Sequence, residues 1–337
     1  VELTHVGVAQ QVLRKHGGDL RTVVELTKDS WLRWTGERWT RLADKQIAMA
    51  VGEYIDELKA TLLACPDMDP KEARNVSMTL GHVAFNHGVV STMGHQREAQ
   101  VSEDELNTYS EYLAVANGAV HLPTGKLVQE RELLLTVQSK TGYNPAAQCP
   151  RFLEALRTTF EGRAEDIEYY ELIMGYALLG MPTERAVFFH IGEGNNGKSL
   201  LLNAICHALG GEHAPVLSFQ LIASEPGASL SGDANAASPA KYKMRNARLG
   251  FIDELPKGGV MRDAQLKFYA SGDGVMDARK LGRDLVDFPM TTVLMVLCNA
   301  QVAIRGAQPS TWNRTVPVAY KAKFKDDPTL QIGRAHV

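Results

Sequence analysis

Gly192-Glu193-Gly194-Asn195-Asn196-Gly197-Lys198-Ser199 is the stretch of this chain whose residue types and spacing point most directly to chemistry. It completes the pattern GxxxxGK[ST]. Gly192, Gly194 and Gly197 let the backbone curl until successive N–H groups, those of Asn195 and Asn196 among them, aim at one anion. A helix starting at Lys198 would add its positive end to the same place. Lys198 reaches the outer phosphates as a point charge, and Ser199 presents a hydroxyl to Mg2+. The pattern predicts a cradle for a Mg2+–nucleotide.

Phosphoryl transfer needs further groups, and the downstream sequence offers them. Asp253 and Glu254 end the apolar run "RLGFIDEL", about 55 residues after Lys198. The first acid suits Mg2+ through water, and the second suits a general base on the attacking water. The bland alternative is an acidic pair capping a turn. Asn299 ends "TTVLMVLCN" and could orient that water, although an Asn after a strand is commonly a turn former. Arg314, in "STWNRTVPV", could place a cation on the developing charge. Such a residue often comes from a neighbouring subunit, which would imply a ring; Arg305 is the second candidate. Between the acids and Asn299, Arg279, Lys280 and Arg283 cluster around a turn at Gly282. Three cations at a hairpin tip, in a chain of net charge −3, suit a nucleic-acid backbone or simply a solvated loop.

The elements that must position these groups are legible in outline. "RAVFFHI" before the loop is a continuous apolar run, as expected of a strand covered on both faces. "KSLLLNAICHALGG" reads as an amphipathic helix stopped at Gly210-Gly211. "RLGFIDEL" and "TTVLMVLCNA" read as two more buried strands, giving an α/β nucleotide-binding core. A helix carrying Lys267 runs into Ser271-Gly272-Asp273.

Upstream, residues 1–30 predict a short amphipathic helix, with Val8, Val12 and Leu13 on one stripe and Leu20, Val23 and Val24 on the next. "WLRWTGERWTRL" predicts a hairpin around Thr35-Gly36. Its three tryptophans form either a local core or a base-stacking platform. Residues 42–90 predict helices, with Leu58, Leu62 and Leu63 on one face. His82, His87 and His95 match no metal-ligand spacing. "YLAVANGAVHLPTGKLV" predicts a small meander with turns at Asn117-Gly118 and Pro123-Thr124-Gly125. "YNPAAQCP" is the expected boundary, followed by helix over 151–180. The expected division is 1–145, 146–331 and a non-native tail at 332–337.

Composition narrows the classes. A chain of 337 residues, 45% apolar, expects two or three domains. Cys65, Cys149, Cys206 and Cys298 form no CxxC pair, which fits neither a zinc ribbon nor a disulfide framework and suits a reducing compartment. No apolar run is long enough to span a bilayer, so no membrane association is expected. Val1 is not an initiator methionine and "IGRAHV" resembles a translated sequencing adaptor, so a fragment of a longer gene is expected.

In the order of its parts the chain resembles the superfamily 3 helicases, and closely the helicase portion of phage and plasmid primase–helicases related to the poxvirus primase–helicase. The resemblance lies in "GEGNNGKS", "RLGFIDEL", "LKFYASGDGVMDARKL", Phe288-Pro289, "LCNAQ" and "TWNRTVPV". Upstream it includes "WLRWTGERW", "YLAVANGAVHLPTGKL" and "GYALLG". It implies an AAA+-type P-loop ATPase core behind an N-terminal mixed α+β helicase-associated domain. It implies ATP and Mg2+ at sites between subunits of a ring, most often a hexamer, with single-stranded or forked DNA as partner in its pore. The hairpin that tracks DNA maps onto Lys280 and Arg283, and the arginine finger onto Arg314. The family shows two basic residues after the Trp, whereas Asn313 stands first here. A primase domain would precede Val1. The setting implied is the cytoplasm of a bacterial host. Other P-loop ATPases (packaging, loading or remodelling) share most of these motifs; a nucleotide kinase would need an arginine-rich lid that is not evident.

Overall fold

The computed structural model describes residues 3–28, 30–224, 239–253, 255, 260–272, 274–279, 285–299 and 304–324. The chain is mixed α/β and divides into two compact units. The first comprises Val1–Tyr109, Asn117–Ala119 and Val128–Thr136; the second comprises Ser110–Ala116, Val120–Leu127 and Val137–Val337. No helix among the described residues is long and apolar enough to cross a membrane.

In the first unit, helix α1 (His5–Lys15) starts at Thr4, whose Oγ1 accepts the Gly7 N–H at 3.1 Å, and it buries Val8, Val12 and Leu13. The second expected stripe is not helical. Gly17 and Gly18 take positive φ, and Leu20–Val23 form strand β1. Glycines at φ of +56° and +86° end the helix, and the β-branched Thr22 and Val23 favour the pleated alternative. Strands β2 (Trp31–Trp34) and β3 (Trp39–Arg41) make the expected hairpin, with Trp34 opposite Trp39. The sheet order is β3-β2-β1-β4, where β4 (Gln100–Val101) runs parallel to β1. Trp31 and Trp39 are 4% and 1% exposed, and the Trp39 Nε1 donates to the Arg131 carbonyl at 2.7 Å. They are therefore local core, unavailable for base stacking. Helices α2 (Asp44–Leu63), α3 (Pro70–Leu80) and α4 (Val83–Gly94) come next. The buried face of α2 is Ile47, Val51, Ile55 and Leu58; Leu63 lies off it and is exposed.

Next, β5 (Tyr112–Val115), β6 (Gly118–His121) and β7 (Lys126–Val128) form a three-stranded sheet in that order, most of its residues belonging to the second unit. The sequence places the boundary at 145, yet packing joins most of this meander to the helices on its C-terminal side. Leu113, Val115 and Val120 share an apolar cluster with Leu156, Leu201 and Leu209. Helices α5 (Pro150–Thr159) and α6 (Ala164–Leu178) lead to strand β8 (Val187–Ile191) and helix α7 (Lys198–His213). Gly210, expected to end α7, kinks it instead, with φ +78° and one further turn beyond. Next come β9 (Val216–Leu217), β10 (Ala223–Ser224), α8 (Pro239–Tyr242), β11 (Leu249–Ile252), β12 (Val260–Arg262) and α9 (Asp263–Ala270). The described chain closes with β13 (Val275–Arg279), β14 (Leu285–Pro289), β15 (Val293–Cys298), β16 (Ile304–Arg305), α10 (Pro309–Trp312) and β17 (Thr315–Ala319).

Five strands form one sheet in the order β17-β8-β15-β11-β9, every neighbouring pair parallel. A parallel sheet buries both faces, which is why β8, β11 and β15 read as unbroken apolar runs. The two-residue side-chain period then divides β15 between two cores. Val293, Met295 and Leu297 join the cluster containing Leu156 and Leu201; Leu294, Val296 and Cys298 join the cluster containing Met261 and Leu266. Beside this sheet, β13 and β14 pair antiparallel from Val275 opposite Pro289 to Arg279 opposite Leu285. The two strands of the expected hairpin are present, its turn at Gly282 lies outside the described residues, and β10-β12-β16 make a further small sheet.

The turn between α9 and β13 carries a sharp constraint. Gly272 has φ +72°, and an added Cβ would lie 1.6 Å from the Pro182 carbonyl oxygen. Gly272→Ala is expected to cost roughly 3 kcal/mol. Gly274→Ala, whose Cβ would meet nothing closer than 3.5 Å, is expected to stay within about 1 kcal/mol of the parent. Urea midpoints of the two variants measure the difference.

Candidate functional site

The Gly-rich loop leaves the carboxyl end of β8, a central strand of the parallel sheet. That is where α/β sheets bind ligands. Its start is pinned by the Gly192 N–H, which donates to the Cys298 carbonyl at 3.1 Å. Gly192 has no room for a side chain: a Cβ would lie 2.0 Å from Asn196 Nδ2 and 2.7 Å from the Tyr320 oxygen. Gly194, Asn195 and Gly197 have φ of +99°, +44° and +82°, and α7 begins directly after Gly197. Left-handed residues set among right-handed ones are the backbone pattern from which anion-binding nests are built.

A cleft of about 300 Å³ opens at the loop, lined by residues 194–200 with Asp253, Leu297 and Asn299. Strand order brings these together. β15 lies between β8 and β11, so the residue after β15, Asn299, stands between the loop and Asp253, which comes directly after β11. Lys198 is 4% exposed. Its Nζ donates to the Gly192 carbonyl at 2.6 Å, to Asn196 Oδ1 at 3.1 Å and to Asn299 Oδ1 at 3.3 Å. Three oxygen acceptors are the compensation a buried ammonium needs. Lys198, Ser199, Asp253, Asn299 and the five other loop residues predicted from sequence therefore meet in one place.

The groups present fit a Mg2+–nucleotide. Asn196 is 3% exposed and its Nδ2 has no hydrogen-bond partner, a costly arrangement that an anionic ligand would relieve. Ser199 and Asp253 supply a sparse oxygen set, the kind Mg2+ takes when phosphates and water complete its shell.

Arg314 lies elsewhere. It precedes β17, whose Thr315 pairs with Val187 at the start of β8, whereas the cradle lies beyond Ile191, which pairs with Ala319. Four strand residues, about 13 Å of rise, separate the two ends. The Arg314 Nη1 donates to the Ser310 carbonyl at 2.6 Å. Glu254, Lys280 and Arg283 lie outside the described residues, as do the side chains of Arg279 and Arg305.

Other residues around the loop were not visible in the sequence. His190, the penultimate residue of β8, is fully buried; its Nδ1 lies 2.9 Å from the Tyr320 hydroxyl. Burial, and then the Lys198 charge, push its pKa down to about 3, so the ring is neutral at physiological pH. Burial pushes the Cys298 thiol up to about 12, which makes it a packing residue and no nucleophile. Thr159, Tyr320 and Phe324 back the loop. They come from α5 and from beyond β17, and no local pattern marks them.

Residues 9–161 match the family described as D5 N terminal like. A protein of African swine fever virus named as a primase is 24% identical over 251 residues, covering 73% of this chain and 26% of the viral protein. A protein of Acanthamoeba polyphaga mimivirus named as a helicase is 26% identical over 157 residues, 47% of this chain and 16% of its own length. Another named as a helicase, from Invertebrate iridescent virus 6, is 26% identical over 169 residues, 48% and 16% respectively. The chain thus spans about a quarter or less of these relatives. Among solved structures, the A-form apo structure of the NrS-1 C terminal region superposes with a TM-score of 0.54 at 12% identity, covering 96% of this chain and 63% of that one. A second apo structure of that region gives 0.53 at 10%, covering 97% and 64%. The likeness extends along nearly all of this chain, and at such identities it is one of fold.

Proposed function

We propose that this chain is the ATP-driven motor portion of a replication primase–helicase, a superfamily 3, AAA+-type helicase that works as a ring on single-stranded DNA. The observation that carries the reading is the convergence of Lys198, Ser199, Asp253 and Asn299 on one cleft at the carboxyl ends of three parallel strands. The relatives named as primases and helicases support the replication setting.

In this reading the loop N–H groups and Lys198 hold the outer phosphates of ATP, and Ser199 with Asp253 holds Mg2+. Glu254 accepts a proton from the attacking water as its oxygen bonds to the terminal phosphorus, and the bond to the bridging oxygen breaks to release ADP. Asn299 orients that water, and its contact with Lys198 ties β15 to the phosphate end of the cleft. Arg314 acts on the site of an adjacent subunit, consistent with its place at the far end of the sheet. The chain from the end of β13 to β14, which carries Arg279, Lys280 and Arg283 in its sequence, contacts the DNA backbone in this reading. That segment favours a DNA motor over a nucleotide kinase. A primase domain in the full-length protein would be a partner in the same replication step.

The test is ATP hydrolysis with and without single-stranded DNA, with Lys198→Ala as the blank. Turnover is expected to rise severalfold with DNA and to fall with salt, since phosphate contacts release counterions. Turnover that ignores DNA, in a chain shown by sedimentation to form rings, would sink the helicase reading while leaving the ATPase.

A further inference from the structure

The segment after β17 runs along the back of the Gly-rich loop and is bonded to it at both ends. The Tyr320 N–H donates to the Ile191 carbonyl at 2.8 Å, just before the loop. The Phe324 N–H donates to the Asn195 carbonyl at 2.7 Å, within it. Between these, the Tyr320 backbone carbonyl oxygen lies 2.7 Å from where a Cβ on Gly192 would stand, and the Phe324 ring lies 3.2 Å from where one on Gly197 would stand. The Tyr320 hydroxyl, 2.9 Å from His190 Nδ1, fixes its ring on β8.

We propose that residues 320–324 are a strap that sets the anion-binding form of the loop, with Tyr320 and Phe324 as positioning residues for the nucleotide. This rests on reading the cleft as a nucleotide site. A peptide unit is planar and trans, so its C=O and N–H point in opposite directions. Holding the Asn195 carbonyl on the strap therefore turns the Asn196 N–H away from it. Flipping that one peptide would put a carbonyl where a phosphate requires a donor. Asn195 sits at φ +44°, in the left-handed region, which Asn tolerates better than other residues with a side chain but adopts less often than the right-handed one. The strap supplies the hold before ligand arrives, which is preorganisation of the cradle. The strap also adds to the crowding at two glycines of the loop: a Cβ on Gly192 would meet Asn196 and then the Tyr320 carbonyl, and one on Gly197 would meet Thr159 of α5 and then the Phe324 ring.

Phe324→Pro removes the N–H that holds Asn195; Phe324→Leu keeps it. The expected result for Phe324→Pro is a KM for ATP raised about tenfold, with kcat within about twofold and Tm within a few degrees of the parent. Phe324→Leu keeps the parent KM. Amide hydrogen exchange at residues 194–197, measured without nucleotide, is expected to speed up in Phe324→Pro alone. Unchanged KM and unchanged exchange in Phe324→Pro would overturn the proposal. Should that variant not yield folded protein, amide exchange at Phe324 in the parent, measured without nucleotide, carries the test: a slow Phe324 amide is expected from its bond to the Asn195 carbonyl, and exchange there as fast as in a free chain would overturn the proposal. Faster exchange in a protein without saturable ATP turnover would keep the strap and discard the nucleotide reading.

Discussion

On the proposed reading, Lys198→Ala is expected to lower ATP turnover at least about a hundredfold, a loss of roughly 2.7 kcal/mol in transition-state stabilisation. The expectation comes from where the ammonium sits. It is 4% exposed and donates to the loop start, to Asn196 and to Asn299, so its charge stands at the point where loop and sheet meet. A charge-assisted hydrogen bond at a dry site contributes about 1.5–3 kcal/mol to binding, and more as negative charge moves toward the leaving oxygen. Alanine removes the charge and leaves three oxygens to find water. Tm should fall by a few degrees, far less than the activity loss implies. Lys198→Arg should rescue little, because a planar fork cannot meet the three acceptors that a compact ammonium meets. Titration calorimetry with Mg2+–ATP and steady-state hydrolysis measure both effects. Undiminished hydrolysis in Lys198→Ala would remove the cradle assignment.

Arg314→Ala is expected to lower turnover by about a thousandfold, the scale on which a cation supplied to phosphoryl transfer acts. Its own cradle is out of reach: the residue precedes β17, and the loop lies beyond the opposite end of the paired strand β8. If Arg314 serves a nucleotide, that nucleotide belongs to another copy. Mixing Arg314→Ala with Lys198→Ala therefore restores activity that neither has alone. With random assortment in equal amounts, about a quarter of the interfaces join an intact cradle to an intact arginine, so about a quarter of parent turnover is expected. A mixture as inactive as its components, or an active Arg314→Ala, would remove Arg314 from the reaction.

How much of this is legible in the sequence depends on the range of the interactions. The loop is legible because its chemistry is local: glycines tolerate the positive φ, and Lys198 and Ser199 stand at fixed spacing behind them. The buried strands are legible from their apolar runs. The β13–β14 ribbon is legible as two short segments flanking a turn. Leu20–Val23 reads wrongly as helix because a four-residue apolar pattern fits either period. Pairing with β2 and β4 makes it a strand. The tryptophan cluster leaves two readings open, since stacking platforms and cores use the same residues; burial of Trp31 and Trp39 chooses the core.

By itself, then, the sequence determined the local shapes: a phosphate-type loop between a strand and a helix, Asp253 and Asn299 directly after strands, and two short strands that pair as a ribbon. Only the tertiary structure decided which of these meet. Insertion of β15 between β8 and β11 brought Asn299 to Lys198 across 101 residues of chain. The parallel register of β17 on β8 put Arg314 at the end of the sheet away from the cradle and carried Tyr320 and Phe324 behind it. The reason is physical: strand order and register are set by which apolar faces bury together across the whole unit, and no window of neighbouring residues contains that information.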